Sequence, residues 1–200
     1  MSSITSERNN FFKRWYAKQN TTPSFKVALI GDYGVGKTSY LHRLADGSFS
    51  DRALPSRGVE TRDVAIHTQY GPINLQISDV PGQLRLNSSS RDCQYQDSQA
   101  VIVMFDITAN TTYANVPSFY ADLIRSTGLI PTVVCGNKQD LAPNAVLSEK
   151  NNFATKLGLP YFSLSARSSL HCERPLLWLA RALTGEADIV SQQVENIDRS

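Results

Sequence analysis

"GDYGVGKTS", residues 31–39, decides the fold. It fits the pattern G-x-x-x-x-G-K-[ST] through Gly31, Gly36, Lys37 and Thr38. An apolar run, "FKVALI" (25–30), precedes it, and a helix-forming stretch from Lys37 to about Asp46 follows. Strand, glycine turn, helix is the context in which this spacing cradles phosphate. Glycines let the backbone wrap the anion, while successive N–H groups and the helix N-terminus attract it. The candidate contacts run from Asp32, Tyr33, Gly34, Val35 and Gly36 to Lys37, Thr38 and Ser39. Lys37 reaches for the β- and γ-phosphates, and the Thr38 hydroxyl is a ligand for Mg²⁺.

Working outward, strand and helix signals alternate. "VAIHTQ" (64–69) and "INLQIS" (73–78) alternate apolar and polar residues around "YGP" and predict an antiparallel hairpin. "AVIVMFDI" (100–107), "TVVCGN" (132–137) and "YFSLS" (161–165) read as further strands, the first two fully buried. Tyr113, Val116, Phe119, Tyr120, Leu123 and Ile124 recur at helical spacing and belong to a core face. A polar helix is expected over about 147–157, and a last helix from near Pro175 to just before Gly185. The pattern predicts an α/β fold of the P-loop NTPase kind. Its sheet is mostly parallel and six-stranded, with one antiparallel edge hairpin strand and about five helices on both faces. Residues 1–24 form a polar extension, 25–185 the domain, and 186–200 a tail without strong pattern.

Such sheets bind ligands at the carboxyl ends of their strands, and three more motifs fall there. In "DVPGQ" (79–83), Asp79 can hold the Mg²⁺ shell, Gly82 can offer its N–H to a γ-phosphate, and Gln83 can orient an attacking water. Gln83 is the catalytic candidate. In "NKQD" (137–140), Asn137 ties the segment to the phosphate loop, Lys138 lies along a base plane, and Asp140 accepts from guanine N1–H and its 2-amino group. In "SAR" (165–167), flanked by Ser165 and Arg167, the Ala166 N–H can donate to guanine O6. Adenine offers neither donor to Asp140, so a site built this way rejects it by about 10⁴ or more. The ligand set is GTP or GDP with Mg²⁺.

The rest of the composition excludes more than it adds. A net charge of +2 over 200 residues gives no electrostatic case for nucleic acid as a direct partner. Cys93, Cys135 and Cys172 are odd in number and lack metal-ligand spacing. Cys135 reads as buried in its strand. No apolar run approaches a membrane span, and neither the start at Met1-Ser2 nor the end in "ENIDRS" carries a lipidation motif, so no lipid anchor is expected. The aromatic and basic "FFKRWYAK" (11–18) reads as an interfacial or partner-binding helix, or as a loose tail packing on the domain. A mitochondrial presequence is the weaker option for this N-terminal region, because Glu7 interrupts its short basic stretch. His42, His67 and His171 have no convergent partners in sequence and read as surface or strand-face residues.

The four motifs, in this order and spacing, resemble the small GTPases over residues 25 to about 185. Within them the sequence is most similar to the Ran branch. The similarity is carried by "GVE" (58–60), "HTQYGPI" (67–73), "VIVMFDIT" (101–108), "TYANVP" (112–117), "CGNKQD" (135–140) and "ERPLLWLARALTG" (173–185). The phosphate loop alone is closer to Rab proteins. The resemblance implies a monomeric GTP/GDP switch moving between nucleus and cytoplasm. Its GTP form would bind importin-β-type transport receptors, and an exchange factor and a GTPase-activating protein would set its state.

Several positions depart from the branch. Tyr33 replaces a glycine beside the γ-phosphate. Either its ring lies out over the switches, or it excludes an activating arginine or displaces Gln83, which slows hydrolysis. Ser56 aligns with the switch threonine that contacts Mg²⁺ and keeps its hydroxyl. "DTAGQE" becomes "DVPGQL", with Pro81 stiffening the chain and Leu84 replacing an acid implicated in exchange. "LRLNSSS" (84–90) replaces a glycine- and aromatic-bearing partner surface, the acidic tail is missing, and its basic docking patch keeps only Lys156. Phe49 aligns with an aromatic that packs near the nucleotide, and an ordinary core contact explains it equally well. Two other readings remain: a GTP-binding module that does not hydrolyse, and a Rab-like vesicle-traffic GTPase.

Overall fold

The computed structural model describes residues 21–50, 58–82, 97–143 and 153–191. In chain order these form β1 (Ser24–Gly31), α1 (Lys37–Asp46), β2 (Glu60–Thr68), β3 (Gly71–Asp79), β4 (Ala100–Asp106), α2 (Asn110–Ala114) and α3 (Val116–Thr127). Then come β5 (Thr132–Asn137), a 3₁₀ turn (Gln139–Leu141), α4 (Phe153–Lys156), β6 (Tyr161–Ser163) and α5 (Arg174–Thr184). The sheet has six strands in the order β2-β3-β1-β4-β5-β6. Only the β2–β3 pairing is antiparallel, from Glu60 opposite Asp79 to Thr68 opposite Gly71. The expected mostly parallel sheet with one antiparallel edge strand is therefore present.

Side-chain chemistry explains which strands lie where. Every residue of β4 and β5 is buried, as apolar runs covered on both faces must be. β2 instead alternates, burying Val64, Ile66 and Thr68 and exposing Asp63, Ala65 and His67, which suits an edge strand with one wet face. β1 shows how two cores share one strand. Val27 and Leu29 pack with Tyr40 and Leu41 of α1 and Leu176 and Leu179 of α5. Ala28 and Ile30, pointing the other way, pack with Val116, Phe119 and Leu123 of α3. Each large apolar side chain buried in this way contributes about 1.5–3 kcal/mol of transfer free energy.

Helix ends follow local chemistry too. α5 carries proline in its first turn and stops at Gly185 (φ 76°), whose N–H donates to Arg181 O at 2.9 Å. The stretch expected to form one helical face around 113–124 is in fact two helices, broken at Asn115, with Pro117 in the first turn of the second. Val116, Phe119 and Leu123 are buried, while Tyr113, Tyr120 and Ile124 are half-buried. Of the helix expected over 147–157, residues 153–156 are helical, and 144–152 lie outside the described residues.

The tail differs from the sequence expectation. Glu186 and Ile189 are fully buried, and residues 186–191 lie against the β2–β3 turn. Gln69 Nε2 donates to Asp188 O (2.7 Å), Tyr70 OH to Asp188 Oδ2 (2.5 Å), and Arg181 Nε to Ile189 O (2.9 Å). Ser191 bridges Thr68. One buried isoleucine beside an exposed valine makes no period, so nothing in the local sequence announces this strap. No described helix is long and apolar enough to cross a membrane.

Strand order reverses at β1, which lies between β3 and β4 and is parallel to both. A ligand crevice belongs at that reversal. Gly31, Asp79, Asp106 and Asn137 end four adjoining strands there.

Candidate functional site

The loop after β1 opens α1 with an uncapped helix N-terminus. The first-turn N–H groups of this ten-residue helix meet no side-chain cap, and Gly36 precedes them in the left-handed region at φ 93°. A side chain there would also collide with Asn137, since an added Cβ would lie 2.4 Å from Nδ2. Lys37 is buried beneath the loop, where its Nζ donates to Gly31 O (3.1 Å) and Asp32 O (2.9 Å). Burial lowers its pKa, and the charges of Asp79 and Asp32 work the other way. An ammonium held among carbonyls in a dry setting is poised to exchange them for an anion.

Thr38 Oγ1 donates to Asp79 Oδ2 at 2.5 Å, joining the head of α1 to the end of β3. Among the described residues no three His, Cys, Asp or Glu side chains gather into a metal site of their own. A hydroxyl and a carboxylate at the mouth of a phosphate loop fit a different arrangement. Mg²⁺ characteristically takes one or two protein oxygens and completes its shell with phosphate oxygens and water. The residues present fit that demand.

β5 delivers the second wall. Asn137, almost fully buried, donates from Nδ2 to Val35 O (2.9 Å) and accepts at Oδ1 from Ala166 N–H (3.0 Å), clamping the loop after β6 to the phosphate loop. The amide assigned to guanine O6 from sequence is therefore engaged by Asn137 in this arrangement. Lys138 adopts a left-handed backbone (φ 69°), and its Nζ reaches Gly34 O (2.8 Å) and Asp106 Oδ2 (2.7 Å). Ser165 Oγ donates to Asp140 Oδ1 (2.6 Å) and accepts from Ser168 N–H (3.1 Å), so the acid is held by the loop it faces. Between the loops lies a cleft of about 280 Å³ lined by Gly34, Gly36, Lys138, Asp140, Ala166 and Phe49.

Arg167 and Ser39 also line this cleft. Tyr33 projects from the loop with 56% of its surface exposed. Behind it, Gly82 lies so close that an added Cβ would stand 2.5 Å from Tyr33 N and 2.6 Å from Asp32 C. Gly82 thus rests on the backbone of the phosphate loop. Gln83, Ser56 and Leu84, together with 11–18, 84–90, Cys93 and the tail beyond 191, lie outside the described residues.

Three site residues have no part in the sequence reading. Asp106 ends a buried strand, the same signal that singles out Asp79, and Lys138 pairs with it. Asn115 donates from Nδ2 to Asp32 Oδ2 (2.7 Å), turning that carboxylate toward α3. Arg43, in the last turn of α1, reaches the loop after β6. The last two contacts join positions 83 or more residues apart and carry no local signature. A family model described as the Ras family matches residues 26–185.

Proposed function

The chain belongs to the Ras family of small GTPases, and on that premise we propose that it is a Ran-like GTP/GDP switch with slow hydrolysis. It acts in nucleocytoplasmic protein transport. Members of this family bind GTP and GDP, typically with Mg²⁺, and answer to exchange factors, activating proteins and effectors. The observation that carries the reading is the convergence of two walls on one cleft, the phosphate loop on one side and Asp140 with its Ser165 prop on the other.

In this reading the uncapped α1 N-terminus and Lys37 hold the phosphates, while Asp140 takes the guanine N1–H and 2-amino donors. The Ala166 N–H serves O6 as well once it shares or leaves Asn137 Oδ1. Thr38, Asp79 and Ser56 would hold Mg²⁺, which would supply neutralisation of the phosphate charge. Gln83 orients the water that attacks the γ-phosphorus, and the leaving group is GDP. Tyr33 stands in the space an activating arginine needs, so stimulation falls short of the usual factor of about 10³ to 10⁵.

The Ran-like assignment rests on the stretches at 67–73, 101–108 and 173–185, and it places the protein in nucleus and cytoplasm. The Rab-like alternative rests on the phosphate loop, whose Asp32 is held by Asn115. A pull-down on importin-β with GTP-loaded and GDP-loaded protein separates them. Retention of the GTP form alone is expected, and equal retention of both forms, or of neither, would reject the transport role. A non-hydrolysing binder would instead co-purify mostly with GTP.

A further inference from the structure

One side chain outside the four motifs joins Phe49 to the loop after β6, two parts of the base-side wall. Arg43 Nε donates to Ala166 O at 2.9 Å, and its Nη2 donates to Arg167 O at 3.0 Å. Its Nη1 donates to Gly47 O, the residue that ends α1. The guanidinium carbon also lies 5.7 Å from the centre of the Phe49 ring, within cation–π range. Phe49, Ala166 and Arg167 all line the cleft. A planar five-donor fork can satisfy three carbonyls and cover a ring at once, which an ammonium cannot do.

We propose that Arg43 is a positioning residue for guanine recognition. It fixes the two carbonyls of the Ala166–Arg167 segment, and so the orientation of the peptide units beside the base, while holding Phe49 against the same cleft. The inference rests on the guanine-nucleotide reading above.

The geometry has a mechanical consequence. Asn137 holds the Ser165–Ala166 peptide by its N–H and Arg43 holds the next one, Ala166–Arg167, by its carbonyl, so Ala166 is tethered through both peptide units that flank it. Removing Asn137 would also free the phosphate loop at Val35, whereas Arg43 bonds no residue of that loop among the contacts described. Arg43 therefore acts on the base and not on the phosphates. It also couples Phe49 to the loop after β6, so the two sides of the base loosen together when the guanidinium is lost.

The test measures GDP and ADP affinity for wild type, Arg43→Met and Arg43→Lys in the presence of Mg²⁺. A base-side role predicts that Arg43→Met weakens GDP by roughly tenfold, in line with losing hydrogen bonds to a charged donor. ADP, which has no O6 acceptor for the Ala166 N–H and shares only the Phe49 side, weakens less than GDP, so the GDP/ADP ratio falls. Arg43→Lys, with a single-point cation, lies between. A residue that merely stabilises the fold would weaken both nucleotides alike and leave the ratio where it was, and that result overturns the proposal. If Arg43→Met does not fold, the ratio for Arg43→Lys decides in the same way. Wild type without preference for GDP over ADP would instead reject the guanine-site reading itself.

Discussion

Gly82 rests directly against the phosphate loop, where an added Cβ would stand 2.5 Å from Tyr33 N and 2.7 Å from Gly31 O. The Tyr33 side chain is more than half exposed and lies outside the buried part of the loop. On the account given above, its cost falls on turnover and not on binding. Tyr33→Gly should raise single-turnover hydrolysis in the presence of an activating protein by about tenfold or more, a fraction of what such proteins supply. Equal rates for the two proteins would remove Tyr33 from the explanation. Asp106 gives a second residue-scale outcome. Burial works to raise its pKa, but hydrogen bonds from Lys138 and Thr108, with the Lys138 charge, outweigh it and hold the value below the ordinary aspartate range. A carboxylate depressed in the folded state contributes stability above its unfolded pKa of about 4 and loses it as pH falls through the folded value. Wild type should therefore be more stable than Asp106→Asn at pH 7, with the gap closing below about pH 4. A gap of constant size in chemical denaturation at both pH values would contradict this.

Among the elements, the strap formed by residues 186–191 ties α5 to the β2–β3 turn through Arg181, Gln69 and Tyr70. That turn lies at the far end of the hairpin from Glu60 and Asp79, the residues nearest the nucleotide end. Tyr70→Phe removes the hydroxyl bond to Asp188, worth about 0.5–1.5 kcal/mol. Amide exchange at 189–191 and at 68–71 should then quicken together, and a change confined to one of them would show that the strap is not a single unit. The sequence made the fold legible where residues act locally. Apolar runs marked β1, β4 and β5, alternation marked β2 and β3, and Pro175 with Gly185 bracketed α5. It did not reveal the break at Asn115, across which the helical spacing of apolar residues continues, nor the strap, whose partners in the β2–β3 turn lie more than 110 residues away.

For the whole molecule, the same division holds at the site. Asp79 and Asn137 stand out in sequence because each ends a strand, β3 alternating and β5 fully buried, and the fold then places them at one rim. Arg43, Asn115 and Asp106 act through contacts that only the folded chain creates, and Arg43 in particular looks like any solvated arginine in a last helical turn. What unites these parts in the proposed function is one cleft that would read guanine at one end and phosphate at the other. Asp140 is the residue on which that claim turns, and Ser165 holds it by a bond that an asparagine oxygen can accept equally well. Xanthine differs from guanine in carrying an oxygen in place of the 2-amino group, so an amide at this position offers the donor it lacks. The decisive measurement is the affinity of wild type and Asp140→Asn for GDP and for xanthosine diphosphate. Wild type should prefer GDP by about 10³ or more, and Asp140→Asn should reverse the order. An Asp140→Asn protein that keeps the wild-type preference would contradict the assignment of this cleft to guanine nucleotides.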